Sequence, residues 1–354
     1  MKNLILTVTV FLSGVASGQS SNSFICGSTQ TYSLSEYDAQ SIIYLSNLSS
    51  KHPDPDHFEQ CGLPGLDWKV CKSCSSKKSE DMLVNVLDML SSKEHRDWHY
   101  YWHSIRRELS FDLNNLPPSI GRLNELVDSG WIKMKEKKDQ YSRQDFAQFI
   151  KDHSSGGLLA GEDFLFMHRQ MIKMVQVELA ARGDSCIAPW YELPNSVLDS
   201  EWAVPRAVYL KEKGKDISYE QNELDNILSM SEQLRDVGYL SRTSLNDLGV
   251  DIENMIHGKL HILYAAPNGG CLDPRTDNRK QCSDLTHDRS SHVNKYFWKL
   301  HGFIDQLIGD WLEVNGYSYI YRDCSESPIP QKCYQWKGTW LGNEPYKNVG
   351  AKGS

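Results

Sequence analysis

The chain has 354 residues, with 38 Lys plus Arg against 46 Asp plus Glu and a formal net charge of -8. That acidic balance speaks against nucleic acid or an anionic membrane as partner, because both select a basic face. No stretch after the first residues approaches the ~20 uninterrupted apolar residues that a spanning helix requires, so no membrane association is expected.

Lys2, an apolar run from Leu4 to Val15, and the small residues Ala16, Ser17 and Gly18 have the layout of a cleaved secretory signal over 1–18. The mature protein is therefore expected to be secreted and extracellular, or periplasmic in a bacterium. From Gln19 to Ser79 the chain is rich in Ser, Cys, Pro and Asp, which reads as an irregular, disulfide-stapled N-terminal extension. The export route permits disulfides, and the nine cysteines group locally: Cys26 with Cys61, Cys71 and Cys74, Cys271 with Cys282, Cys324 with Cys333, and Cys186 left over. The last two pairs would each close a short loop, while the connectivity of the first four stays open. Asn47-Leu48-Ser49 matches a glycosylation sequon, by chance or by use.

Helical spacing begins in the segment Glu80 to Arg107, with Val86, Leu87 and Leu90, then Trp98, Trp102 and Ile105. It returns at Arg143–His153, Phe164–Ala181, Tyr219–Val237, Leu245–His261 and Val293–Trp311, with sparse strand signals and long Pro- and Gly-bearing connections. This predicts a mainly α fold, an antiparallel helical bundle over 80–316 with long loops. The aromatic, Gly-rich end from 317 to 354 is expected to wrap the bundle or cover its mouth.

Twelve histidines punctuate this pattern. His257 and His261 stand at i and i+4, one above the other on a helix face, so both imidazoles can converge on one ion or pack in a core. His301 lies among Phe297, Ile304, Ile308 and Trp311 on the side of its helix expected to be buried, with Asp305 one turn on as a candidate carboxylate for fixing ring or helix position. His168 follows Phe164-Leu165-Phe166-Met167 on an amphipathic helix, and His153 closes the pattern before it. His95, His99 and His103 repeat at i, i+4 and i+8 on one face, either as ligands or as a solvated flank.

In this order and spacing the motifs resemble those of the type-3 copper proteins, the tyrosinase and catechol oxidase family, over roughly Asp145 to Trp311. Phe164 to Arg169 is similar to that family's Phe-Leu-Pro-Trp-His-Arg, which carries the last ligand of its first copper. His257 and His261 resemble its His-Asn-x-x-His, and Phe297 with His301 to Asp305 resembles the end of its Asp-Pro-x-Phe-x-x-His-His-x-x-x-Asp, the three ligands of the second copper. Ala188-Pro189-Trp190 is similar to the Pro-Tyr-Trp that follows the first-copper helix, and Tyr317, Tyr319 and Tyr321 to a structural Tyr-x-Tyr.

The departures are specific. Asn294 and Lys295 replace Asp-Pro, Leu300 replaces the first of two histidines, and Gly258 stands where Asn is common. In the first half-site His153 and His168 match, but Leu159 occupies the place of the second ligand, in the Gly-rich segment Ser154 to Gly161. His95, His99, His103, His287 and His292 are the candidates for the sixth ligand, whereas His52 and His57 read as surface residues.

The resemblance implies a helical bundle holding a dicopper-type site, with copper bound by His153, His168, His257, His261 and His301. It implies that Glu253, four residues before His257, holds a water and receives a phenolic proton, although the same residue also reads as an ordinary surface glutamate. The implied activity is oxidation of phenols or catechols to quinones with O2, on a small phenolic substrate or a tyrosyl side chain. Two other readings stay open: a copper-binding protein in which only the second half-site works, and a non-catalytic secreted scaffold of the same fold.

Overall fold

Helices dominate the described residues and little sheet accompanies them, as the mainly α reading expects. This computed structural model describes residues 86–110, 120–135, 138, 140–153, 160–181, 189–205, 217–327 and 329–338. The signal, the N-terminal extension with its four cysteines, the sequon, His52, His57, Leu159, Cys186, Ala188 and the end from 339 lie outside those residues. Among the described residues no helix is long and apolar enough to cross a membrane.

The first helical pattern divides in two, α1 at Leu87–Leu90 and α2 at Lys93–Ser110. Two serines make the break. Ser91 Oγ donates to Leu87 O at 2.7 Å, and Ser92 Oγ accepts from His95 N at 3.2 Å, which closes one helix and caps the next. Then follow α3 (Ile120–Asp128), α4 (Arg143–His153) and α5 (Ala160–Ala181).

Helix α5 begins earlier than its apolar spacing suggests, because its cap comes from elsewhere in the chain: Asn246 Oδ1 accepts from Gly161 N at 3.2 Å and Glu162 N at 3.4 Å. After α6 (Ile217–Leu234) and α7 (Val237–Leu240), the periodic run from Leu245 forms α8 (Leu245–Ile252), a π-turn at Glu253–His257, and α9 (Gly258–Leu263). Ser244 and Asp247 cap α8 reciprocally. A long loop stapled by the Cys271–Cys282 disulfide leads to α10 (Lys295–Val314). Asn294, which stands where the resembled motif has Asp, caps α10 by accepting from Tyr296 N at 2.9 Å, and Leu300 is a buried core residue.

Helices α5, α8 and α10 pack on one another and carry a large part of the core. The α5–α8 crossing is made backbone to backbone. A Cβ on Gly249 would meet Gly161 O at 2.1 Å, and one on Gly161 would meet Asn246 O at 2.0 Å. Only paired glycines allow this approach, and it fixes the height of α5 against α8. Gly302 of α10 likewise faces Pro189, whose side chain a Cβ would meet at 2.5 Å.

After α10, β1 (Tyr319–Tyr321) pairs in parallel with β2 (Cys333–Gln335), and the Cys324–Cys333 disulfide closes the loop between them. This C-terminal element docks on the start of α5. Trp336 stacks on Phe166 with ring centroids 4.6 Å apart, and Glu162 accepts from Lys337 N at 2.6 Å and from Tyr334 Oη at 3.3 Å. Both disulfide pairs expected in this half of the chain are present.

The glycine crossing generates a prediction. Gly249→Ala forces α5 and α8 apart and should cost about 1–3 kcal/mol or more in chemical denaturation. Gly258→Ala, whose Cβ would meet nothing nearer than Glu253 O at 3.5 Å, should be neutral or stabilising. Equal stabilities for the two variants would show that the crossing does not depend on the glycine.

Candidate metal centre

Imidazoles from four separate parts of the chain, most of them buried, meet in the core. Helix α2 supplies His95, His99 and His103 from one face, and α5 supplies His168. The π-turn and α9 supply His257 and His261, α10 supplies His301, and the short turn Ser291–Val293 before it supplies His292. Rings from α5 and α10 stack, with the centroids of His168 and His301 4.2 Å apart. The His257 centroid lies 4.3 Å from that of His261, 5.0 Å from His301 and 5.5 Å from His168. On the α2 side, His103 lies 4.6 Å from His99 and 5.8 Å from His168, again between centroids.

Backbone carbonyls fix which nitrogen of each ring is free. Nδ1 of His168 lies 2.8 Å from Phe164 O and Nδ1 of His301 2.6 Å from Phe297 O, each the carbonyl one turn earlier in its own helix. Nδ1 of His261 lies 2.6 Å from Leu285 O, and Nδ1 of His99 2.5 Å from Asp288 O, both in the long loop. A carbonyl only accepts, so Nδ1 carries the proton and Nε2 presents a lone pair to the interior. Fixing an imidazole through its other nitrogen in this way is the usual support of a metal-ligating histidine.

Two sets of three ligand nitrogens result, each with its atoms within 4.8 Å of one another: His99, His103 and His168, and His168, His257 and His301. His99 Nε2 is 3.1 Å from His103 Nε2, and His257 Nε2 is 3.2 Å from His301 Nε2. His168 Nε2 and His261 Nε2 are buried without a hydrogen-bond partner. An orphaned lone pair in an apolar interior costs about 1–3 kcal/mol, and a cation shared with its neighbours is a partner that fits it. The donors are all imidazoles, a set that suits zinc, copper, iron or nickel.

The walls are apolar. Phe297 stacks on His301 at 3.7 Å between centroids, and Phe164 stands edge-on to His168 and His257 at 4.5 and 4.7 Å. Trp102 stands 5.8 Å from His168. Burial in this setting pushes the His99 imidazole down to about 3 and holds those of His168, His257 and His301 well below the ordinary histidine range, with His261 lowered too. At neutral pH the rings are therefore uncharged, the form that ligates a metal.

Two ion pairs frame the cluster. Arg169, next to His168, lies 3.2 Å from Asp305, one turn beyond His301, and so ties α5 to α10. Asp305 thus serves to fix helix position. Glu253 accepts from both Nη1 and Nη2 of Arg106 at 3.0 and 2.9 Å. Arg106 in turn lies over the Trp102 ring at 4.6 Å and donates to Ala160 O. The Glu253 side chain keeps 30% exposure, so it stands at an open edge of the cluster with its carboxylate engaged.

Of the five histidines expected as ligands, His168, His257, His261 and His301 come together. The side chain of His153, which closes α4, lies outside the described residues. Of the candidates for the sixth ligand, His99 and His103 join His168. His95 and His292 lie behind His99, with the His95 and His292 centroids 4.7 Å apart and His292 Nδ1 3.1 Å from His99 Nδ1. His287 accepts from Arg289 N at 3.3 Å and belongs to neither set. Sequence reasoning missed Arg106 and the carbonyls of Leu285 and Asp288, since nothing local to those residues signals their partners.

No family model matches the chain, and no curated protein is similar to it. The functional reading therefore rests on the geometry of the site and on the motifs themselves.

The lowered imidazoles make the metal-free protein acid-sensitive. The unfolded chain takes up protons near the ordinary value of 6.5, while His95 resists until about 4 and His99 until about 3. In that window the unfolded state binds more protons, so stability is unaffected above pH 6.5 and is lost as pH falls below it, by up to about 1.4 kcal/mol per pH unit for each such imidazole. The melting temperature should be level from pH 8 to 7 and drop steeply from 6.5 to 5. A level profile down to pH 5 would contradict the burial of these rings.

Proposed function

We propose that this protein is a secreted copper-dependent oxidoreductase that uses O2 to oxidise phenols or catechols to quinones. The observation that carries the reading is the pair of three-nitrogen sets, His99, His103 and His168 beside His168, His257 and His301, with His261 adjoining the second. Six imidazoles would then hold two ions: His99, His103 and His168 one, in which His99 and His103 take the open place and the one expected of His153, and His257, His261 and His301 the other. A ligand set without charge holds Cu(I) as readily as Cu(II), and the motifs around His168, His257 and His301 resemble those of the tyrosinase family.

A bound copper pair would supply the two-electron exchange that lets two catechols and one O2 become two quinones and two waters. The chain's own residues do the rest. The Nδ1–H bonds to Phe164, Phe297, Leu285 and Asp288 carbonyls keep the rings aimed, and Phe164, Phe297 and Trp102 keep water from the interior. A small phenol or a tyrosyl side chain would approach at the edge where Glu253 and Arg106 meet. A phenolic proton arriving there would go to a Glu253 oxygen as Arg106 shifts away from it.

One observation favours a single-ion reading. His168 belongs to both sets, so one copper bound by His168, His257 and His301 would leave the α2 histidines as neighbours only. Copper loading separates the two. The dinuclear protein takes up two equivalents with a weak paramagnetic signal, and consumes O2 in the presence of L-DOPA. His99→Ala should then reduce copper to about one equivalent, raise the Cu(II) signal and lower O2 consumption by at least about 100-fold. One equivalent in the parent protein, unchanged by His99→Ala, would establish the single-ion reading. Absence of copper after loading and dialysis would reject both.

A further inference from the structure

We infer that Arg96 is a positioning residue that clamps the disulfide-stapled loop so that one loop carbonyl orients an imidazole in each half of the centre. The inference rests on the metal-binding reading above for its purpose, though not for its geometry. Arg96 lies on α2 beside His95 and is fully buried. Its guanidinium makes four bonds to backbone carbonyls: Nε to Ser91 O at 3.0 Å, Nη1 to Arg289 O at 3.0 Å, and Nη2 to Arg279 O and Cys282 O at 2.9 Å each.

Three of those carbonyls belong to the loop, and they bracket the two that hold histidines. Leu285 O takes the Nδ1–H of His261, and Asp288 O takes that of His99. The bracketed stretch is fastened again by Asn294 Nδ2 on Ser283 O at 2.8 Å and Ser290 Oγ on Asp284 O at 2.9 Å. Cys282, whose carbonyl Arg96 holds, is also one end of the disulfide. Loop carbonyls thus converge on α2 from one side, and Arg96 is the attachment that the two orienting carbonyls share.

The chemistry of the clamp is selective. Among the described residues the hydrogen bonds of Arg96 go to carbonyls, and the Asp277 carboxylate acts on it only through space, so the buried cation is held mainly by backbone dipoles. What it gains is a planar fork that reaches several carbonyls at once, which the three-donor point charge of lysine does not reproduce. His168 and His301 need no such help, because their Nδ1 partners are carbonyls of their own helices. The clamp therefore acts on His99 and His261 together and leaves the other two alone.

The test is histidine-selective NMR of the metal-free protein. Four protected Nδ1–H resonances are expected, from His99, His168, His261 and His301. In Arg96→Met and Arg96→Lys those of His99 and His261 should broaden or vanish together, while those of His168 and His301 remain. With copper added, both equivalents should bind about 10–100-fold more weakly. Ile320→Ala, which weakens the C-terminal sheet, should lower the melting temperature without moving these signals. If these variants do not fold, Arg96→Gln, which keeps an amide donor for one of the carbonyls, carries the test by the same two signals. Retention of both resonances in a folded variant, or loss of only one, overturns the inference. Loss of both in a protein whose parent binds no copper leaves the clamp standing and refutes the metal reading instead.

Discussion

A buried imidazole has two nitrogens to satisfy, and an apolar interior offers water to neither. In this core the difficulty is met on one side only: the Nδ1–H groups of four histidines go to backbone carbonyls, and their Nε2 lone pairs are turned inward toward one another. That division of roles fixes ring orientation without using a single carboxylate, so the interior stays free of ligand charge. Among the described residues it leaves the Nε2 atoms of His168 and His261 buried without a hydrogen-bond partner, which is the condition a bound cation relieves.

The surrounding architecture serves that condition. The α5–α8 crossing at Gly161 and Gly249 brings the backbone bearing His168 close to the one leading into His257. The π-turn at Glu253–His257 falls between α8 and α9, and such insertions often mark functional sites in helices. On the other flank α10 presents His301 from a face made of Phe297, Ile304 and Ile308, and the Arg169–Asp305 pair holds α10 to α5 beside both rings. The long loop is therefore a structural member of the centre, since two of the four orienting carbonyls are its own.

Much of this was legible in the sequence, and the reasons are local. Apolar spacing located α4, α5, α6 and α10 and the run that forms α8 and α9, while the short α3 and α7 gave too few turns to show a period, and the i, i+4 relation of His257 and His261 predicted rings on one face. Cys271 with Cys282 and Cys324 with Cys333 paired as short-loop proximity suggests. The partner of His168 on the α2 side stayed open among five histidines, because spacing along a chain does not say which helix face meets which. Glu253 was read as a water-holding base or a surface residue, and its bidentate partner Arg106 lies far away in sequence. Arg96 had no sequence signal at all: its partners are carbonyls, which every residue type carries.

The central claim is that two ions would occupy two neighbouring imidazole sets in the core. Anomalous diffraction from crystals soaked in copper reads this directly. Two peaks are predicted, one bounded by His99, His103 and His168 and the other by His257, His261 and His301. A single peak among His168, His257 and His301, or copper bound only at surface histidines, would contradict it.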